Sequence, residues 1–66
     1  MEIIGIVPKN VTERIEIRNG NYKGFERVDI RIFAAGENGW YPTKRGVSLA
    51  AKNIKQLIQI LESIQE

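Results

Sequence analysis

The chain has no cysteine and no histidine. No disulfide can staple it, and the two side chains that dominate zinc sites are missing. The same gap removes the imidazole base and the thiol nucleophile. Ser48 and Ser63 have no obvious activating partner. Glu13, Glu16, Asp29 and Glu37 lack a spacing that implies a shared metal. No glycine-rich run fits a nucleotide fingerprint, because Gly36-Glu37-Asn38-Gly39 reads as a turn. The expectation is a protein that is not an enzyme, with no catalytic residue, no metal and no cofactor.

Long apolar runs are also missing. Nothing reaches the length of a membrane span. The N-terminus lacks the basic start and apolar stretch of a signal peptide. A soluble, intracellular protein is expected, in cytoplasm or nucleoid for a bacterial or phage chain and in the nucleus for a eukaryotic one. The 66 residues leave room for one domain, 1–66. Domains this short bury little surface and are marginal alone. Without disulfides, self-association is the cheapest remaining source of burial.

Neither sign of charge is in large excess, and the net is +2. From residue 50 on, Lys52 and Lys55 balance Glu62 and Glu66, so the excess belongs to the first 49 residues. That implies a basic patch rather than a basic protein.

What is present is alternation. Glu2 to Val7 is a short apolar run read as a strand. Val11 to Arg18 alternates, with Val11, Ile15 and Ile17 on the buried parity and Thr12, Arg14, Glu16 and Arg18 on the other. Glu13 breaks the apolar parity, which a bulge or an edge position would explain. Asn19-Gly20-Asn21 is a turn signal, and Tyr22-Lys23-Gly24 follows it. Arg27 to Phe33 alternates again, with Val28, Ile30 and Ile32 inward and Arg27, Asp29, Arg31 and Phe33 outward. Thr43 to Leu49 is the last strand. Gly46 after two cations leaves room for a backbone or a ligand to approach.

After Leu49 the period changes to about 3.6. Ala50 to Ile64 is a helix, with Ser48 near its start as a cap. Ile54, Leu57, Ile58, Leu61 and Ile64 form a broad stripe with Ile60 beside it. This exceeds what one small sheet face needs, and the three-four-three spacing suits a helix seam. A helix-mediated homodimer is expected, against the alternative that the whole stripe faces its own sheet. The fold class is α+β: a four-stranded antiparallel curved sheet with a C-terminal helix on its inner face, ββββα.

The outer face then carries cations and rings. Arg31 and Phe33 share a strand. Trp40, Lys44, Arg45 and Gly46 follow the Gly36–Gly39 loop, and Tyr22 and Lys23 sit in the preceding turn. Arg and Lys bind phosphate oxygens, and aromatic faces stack on unpaired bases. Such a face suits single strands rather than duplex. The bland alternatives are a core Trp40, a Tyr22 that caps the core edge, and solvated charges elsewhere, Arg14, Arg18 and Arg27 among them.

Lys44-Arg45-Gly46-Val47-Ser48-Leu49, followed by a helix, resembles the basic-basic-Gly-aliphatic-Ser-Leu signature of the positive cofactor four transcriptional coactivator family. Val28-Asp29-Ile30-Arg31 resembles that family's aliphatic-Asp-Ile-Arg strand, and Tyr22-Lys23-Gly24 its aromatic-Lys-Gly turn. The resemblance covers about residues 11–64. It implies homodimers that bind single-stranded DNA with little sequence preference. It makes Tyr22 a stacking ring, Lys23, Arg31, Lys44 and Arg45 phosphate partners, and Gly46 a spacer. The family's Trp after the Arg strand falls at Ala34, which leaves Trp40 and Phe33 as candidates to replace it. Without a Ser- and Lys-rich segment ahead of the domain, the chain is expected to be a minimal bacterial or phage-like member.

The leading expectation is a homodimeric single-stranded DNA-binding protein acting in transcription, replication or recombination. Melted duplex and RNA are further candidate partners. The competing readings are a protein-interaction or structural dimer that binds no nucleic acid, and an RNA chaperone using the same face.

Overall fold

The computed structural model describes residues 2–64. Four strands form one antiparallel sheet in the order β1-β2-β3-β4. They are β1 (Glu2–Pro8), β2 (Glu13–Tyr22), β3 (Phe25–Gly36) and β4 (Gly39–Ala50). A single 3-10 turn, Ala51–Asn53, leads into helix α1 (Ile54–Ile64). The ββββα order is the expected one.

Register follows from the aliphatic rows. Ile15 faces Ile32, Ile17 faces Ile30, Ile30 faces Val47 and Val28 faces Leu49. Branched side chains thus meet branched side chains across three strands, which stabilises the pairing. The other face carries Arg14 opposite Phe33, Glu16 opposite Arg31 and Arg18 opposite Asp29.

This register explains why Asn19-Gly20-Asn21 is not a turn. A reversal centred on Gly20 would set Ile17 against Lys23 and break the aliphatic row, so hydrophobic register overrides the local signal. The turn lies at Lys23-Gly24 instead, with φ of 52° and 86°. Two positive φ values are what a two-residue hairpin turn needs. Asn21 supports it by accepting the Gly24 N–H at 2.9 Å on Oδ1. Val11 lies in the β1–β2 loop, 94% exposed, and not on the buried parity of a strand. Asn10 Oδ1 shapes that loop by accepting from the Thr12 N–H (3.0 Å) and hydroxyl (3.1 Å).

β4 begins at Gly39 rather than Thr43, so Trp40, Tyr41 and Pro42 are strand residues. Pro8 and Pro42 both occupy edge strands, where one ladder donor is dispensable. Between Arg31↔Gly46 and Phe33↔Pro42 the register shifts, so Thr43, Lys44 and Arg45 stand against Ile32 alone. The bulge is closed by the Thr43 hydroxyl, which donates to Ile32 O at 2.7 Å and accepts the Arg45 N–H at 3.2 Å. Gly46 marks where β4 rejoins β3. A Cβ there would lie 2.6 Å from Ile30 O and 2.8 Å from Arg31 Cα. The backbone that approaches Gly46 is that of β3.

Two expectations about burial are reversed. The helix continues directly from the 3-10 turn and does not lie along the strands. It therefore does not cover the aliphatic sheet face, where Val47 stays exposed. Ile58, Ile60, Leu61 and Ile64 are exposed as well, while Ile54 and Leu57 are half-buried. Meanwhile the parity read as outward holds the two most buried side chains, Glu16 (1% exposed) and Phe33 (5%). Long arginine stems fold over that face and dry it. Ser48 is a strand residue that accepts from Arg27, not a helix cap. Among the described residues no helix is long and apolar enough to cross a membrane.

Candidate nucleic-acid interface

The arginine face is built from the alternation Arg14-Ile15-Glu16-Ile17-Arg18, which sets three charges side by side on β2. Glu16 accepts from Arg14 at 2.8 Å and from Arg18 at 2.5 Å. Burial alone would push the Glu16 carboxyl up. The hydrogen bonds from Arg18 and Arg14 outweigh it and hold the group below its ordinary value of 4.5. Each guanidinium so held also covers a ring. Arg18 lies 4.7 Å from the Phe33 centroid, and Arg14 lies 4.3 Å from that of Trp40. Sequence reasoning overlooked this cluster, although the i, i+2 spacing of Arg14, Glu16 and Arg18 signals it.

The family-type cations divide into paired and unpaired. Arg31 donates two hydrogen bonds to Asp29 (2.9 and 3.0 Å) and one to Thr43 O (3.0 Å), which ties it to the β4 bulge. The Asp29 bond holds Arg31 above its ordinary value. Arg45 pairs with Glu13 at 2.8 Å, and Lys9 meets the same carboxylate at 2.9 Å. Glu13 breaks the apolar parity because these partners, with Asn10, hold it. The Lys9 hydrogen bond is the main reason its carboxyl lies below the ordinary range, with Asn10 second. It needs neither a bulge nor an edge. Lys23 and Lys44 have no acidic partner among the described residues.

The rings divide likewise. Tyr22 is 62% exposed at the hairpin tip, with the Lys23 ammonium 5.4 Å from its centroid. Trp40 is 37% exposed, with Arg14 on one side. Phe33 presents no free ring, because Arg18 closes it over. Tyr22 and Trp40 belong to the same sheet face but to opposite ends. Phe25, paired with Tyr22, is eight residues along β3 from Phe33, about 26 Å at strand spacing. The candidate residues thus form a track rather than one pocket. At its Tyr22 end an open cleft of about 470 Å³ is lined by Gly20, Asn21, Tyr22, Arg27 and Ser48.

The same overall fold occurs in known proteins. Residues 9–60 match the family model described as Transcriptional Coactivator p15 (PC4). A PC4 homologue from Burkholderia pseudomallei is similar in two crystal forms. In the orthorhombic form it is 33% identical with a TM-score of 0.86, over 98% of this chain and 90% of that one. In the tetragonal form the values are 30% and 0.88, over 98% and 97%. A bacteriophage T5 homologue of the eukaryotic coactivator PC4, implicated in recombination-dependent DNA replication, shares the fold. It is 24% identical with a TM-score of 0.72, over 89% of this chain and 70% of that one. No curated protein sequence matches. With its sheet, its Lys44–Leu49 segment and most of its length matched, the chain belongs to the transcriptional coactivator p15 (PC4) family.

Proposed function

We propose that the protein is a homodimeric, largely sequence-independent single-stranded DNA-binding protein acting in transcription, replication or recombination. The observation that carries this reading is Tyr22, an exposed ring at a hairpin tip with a cation beside it and an open cleft behind it. A ring so placed stacks on an unpaired base and has nothing to offer a paired one. Duplex readers use a different device, an element that enters the major groove. Helix α1 is a poor candidate for that, since Lys55 and Glu62 are its only charges and its apolar stripe is bare.

In this reading Lys23 and Lys44 contact phosphates, and Tyr22 and the uncovered side of Trp40 meet bases. Arg31 and Arg45 hold the bulge that presents Lys44 and add to the local positive potential. Phe33 and Gly46 act from beneath, one as packing and the other as the close contact between β3 and β4. Family membership supports the class of function.

The dimer forms through Ile54, Leu57, Ile58, Leu61 and Ile64. Covering the remaining surface of a half-exposed Leu or Ile contributes about 1 kcal/mol each, and a second copy presents a matching stripe. The aliphatic sheet face, with Val47 exposed, offers further surface to cover.

Anisotropy titration with oligo-dT, the matching duplex and oligo-U tests the reading. Tightest binding to oligo-dT is expected. Equal binding to all three would reduce it to nonspecific charge. A clear preference for oligo-U would move the function to RNA, and no binding to any would leave a structural dimer.

A further inference from the structure

Arg14, Arg18, Arg31 and Arg45 are each paired with a carboxylate. Among the described residues Arg27 is the one arginine without an acidic partner. It is nonetheless fixed. Its Nε donates to Ser48 Oγ at 3.3 Å and its Nη2 to Ser48 O at 3.1 Å. Both acceptors are neutral, so the positive charge is oriented without being cancelled. Among the described residues Nη1 has no protein acceptor.

The register explains the space around it. Arg27 faces Gly20 on β2 and Ala50 on β4. Arg27 thus has a small residue opposite it on each neighbouring strand, and the cleft opens on the Gly20 side. Its volume of about 470 Å³ lies within the range of small-ligand sites. Tyr22, two residues beyond Gly20 on the same face, forms its aromatic wall. Arg27 is absent from the signature that identifies the family, and in sequence it reads as an ordinary strand-surface charge.

We infer that this cleft is a one-nucleotide subsite, in which the base stacks on Tyr22 and the phosphate is bound by Arg27. An oriented, unneutralised guanidinium is the group best suited to a phosphate oxygen. The ring beside it supplies the stack that only an unpaired nucleotide can use. Ser48 is a positioning residue here: it aims Arg27 and touches no ligand. The inference rests on the single-strand binding proposed above and extends it to a residue outside the family-type set.

The test uses the full chain and oligo-dT across a salt series, with thermal melting as a fold control. Arg27→Gln keeps a donor for Ser48 and removes the charge. It is expected to bind about tenfold more weakly, with a log-affinity against log-salt slope shallower by about 0.7. Arg27→Lys should keep most of the slope and lose part of the affinity. Ser48→Ala should keep the slope and weaken binding, because the charge remains but its aim is lost. If Arg27→Gln matches wild type in affinity and slope, Arg27 is only a strap between β3 and β4 and the subsite is wrong. Failure of wild type to bind oligo-dT would overturn the underlying reading as well. Binding by wild type with an inert Arg27→Gln overturns this inference alone.

Discussion

The Arg14 guanidinium lies 4.3 Å from the centroid of the Trp40 ring and covers one of its two faces. The same guanidinium is bonded to buried Glu16 at 2.8 Å, so it is held in place. Only the opposite face of Trp40 is open to a base. Trp40 is the sole tryptophan, so its emission reports on this site. Oligo-dT is expected to quench it, and duplex to quench it much less. Arg14→Ala should leave the quenching in place and make the ring more accessible to acrylamide. No quenching by either nucleic acid would make Trp40 a packing residue, with nothing replacing the family's Trp at Ala34.

Glu16 supplies a prediction about acid. Its folded carboxyl lies below 4.5, and the unfolded chain is taken at that ordinary value. The stability it contributes is therefore present above about pH 4.5 and lost as pH falls through the lower, folded value. Wild type should lose melting temperature in that acid window, and Glu16→Gln should lack that part of the dependence. At neutral pH Glu16→Gln is expected to cost at most about 3 kcal/mol, the low end for breaking a buried pair, because Arg14 and Arg18 still reach water. An unchanged melting curve from pH 7 to 3 in both proteins would show that the cluster adds no stability.

The bare helix stripe predicts association. Leu57→Asp with Leu61→Asp places two carboxylates on the seam and should abolish the dimer and most of the fold together. Sedimentation equilibrium at micromolar concentration checks it. A well-folded wild-type monomer would contradict the dimer, whatever the double variant does.

Unpaired and paired cations should behave differently. Lys23→Ala with Lys44→Ala is expected to make the log-affinity against log-salt slope shallower by about 1.4, or 0.7 for each single-strand phosphate that is no longer neutralised. Arg31→Ala should mainly lower the melting temperature, because Arg31 ties Asp29 to the β4 bulge. A large slope change in Arg31→Ala with unchanged melting would mean that Arg31 leaves Asp29 for phosphate.

The strand order and the helix were legible because alternation and the 3.6 period are written locally. The family was legible from Tyr22-Lys23-Gly24, Val28–Arg31 and Lys44–Leu49, which keep their spacing. Turn position was legible only through the resemblance, which set it at Tyr22-Lys23-Gly24; the local signal at Asn19-Gly20-Asn21 misleads, and only the pairing of Ile15 with Ile32 and Ile17 with Ile30 overrules it. Burial was misjudged for a related reason. Parity tells which residues share a face but not which face is covered. Here Glu16 and Phe33 are dried by Arg14 and Arg18, while Val47 on the aliphatic face stays exposed. The state of each cation was equally hidden, because whether Arg45 meets Glu13 or Arg27 meets Ser48 depends on cross-strand register.

Single-strand preference through stacking at Tyr22 is tested most directly by one ratio: affinity for oligo-dT over affinity for the matching duplex, at one salt concentration, in wild type and Tyr22→Ala. Duplex phosphates are denser, so charge alone favours duplex, and a ratio above one requires a contribution from unpaired bases. Wild type is expected to favour oligo-dT. Tyr22→Ala is expected to lower that preference by about 1–3 kcal/mol with its salt slope nearly intact. A wild-type ratio at or below one, or a ratio that Tyr22→Ala leaves unchanged, would contradict it.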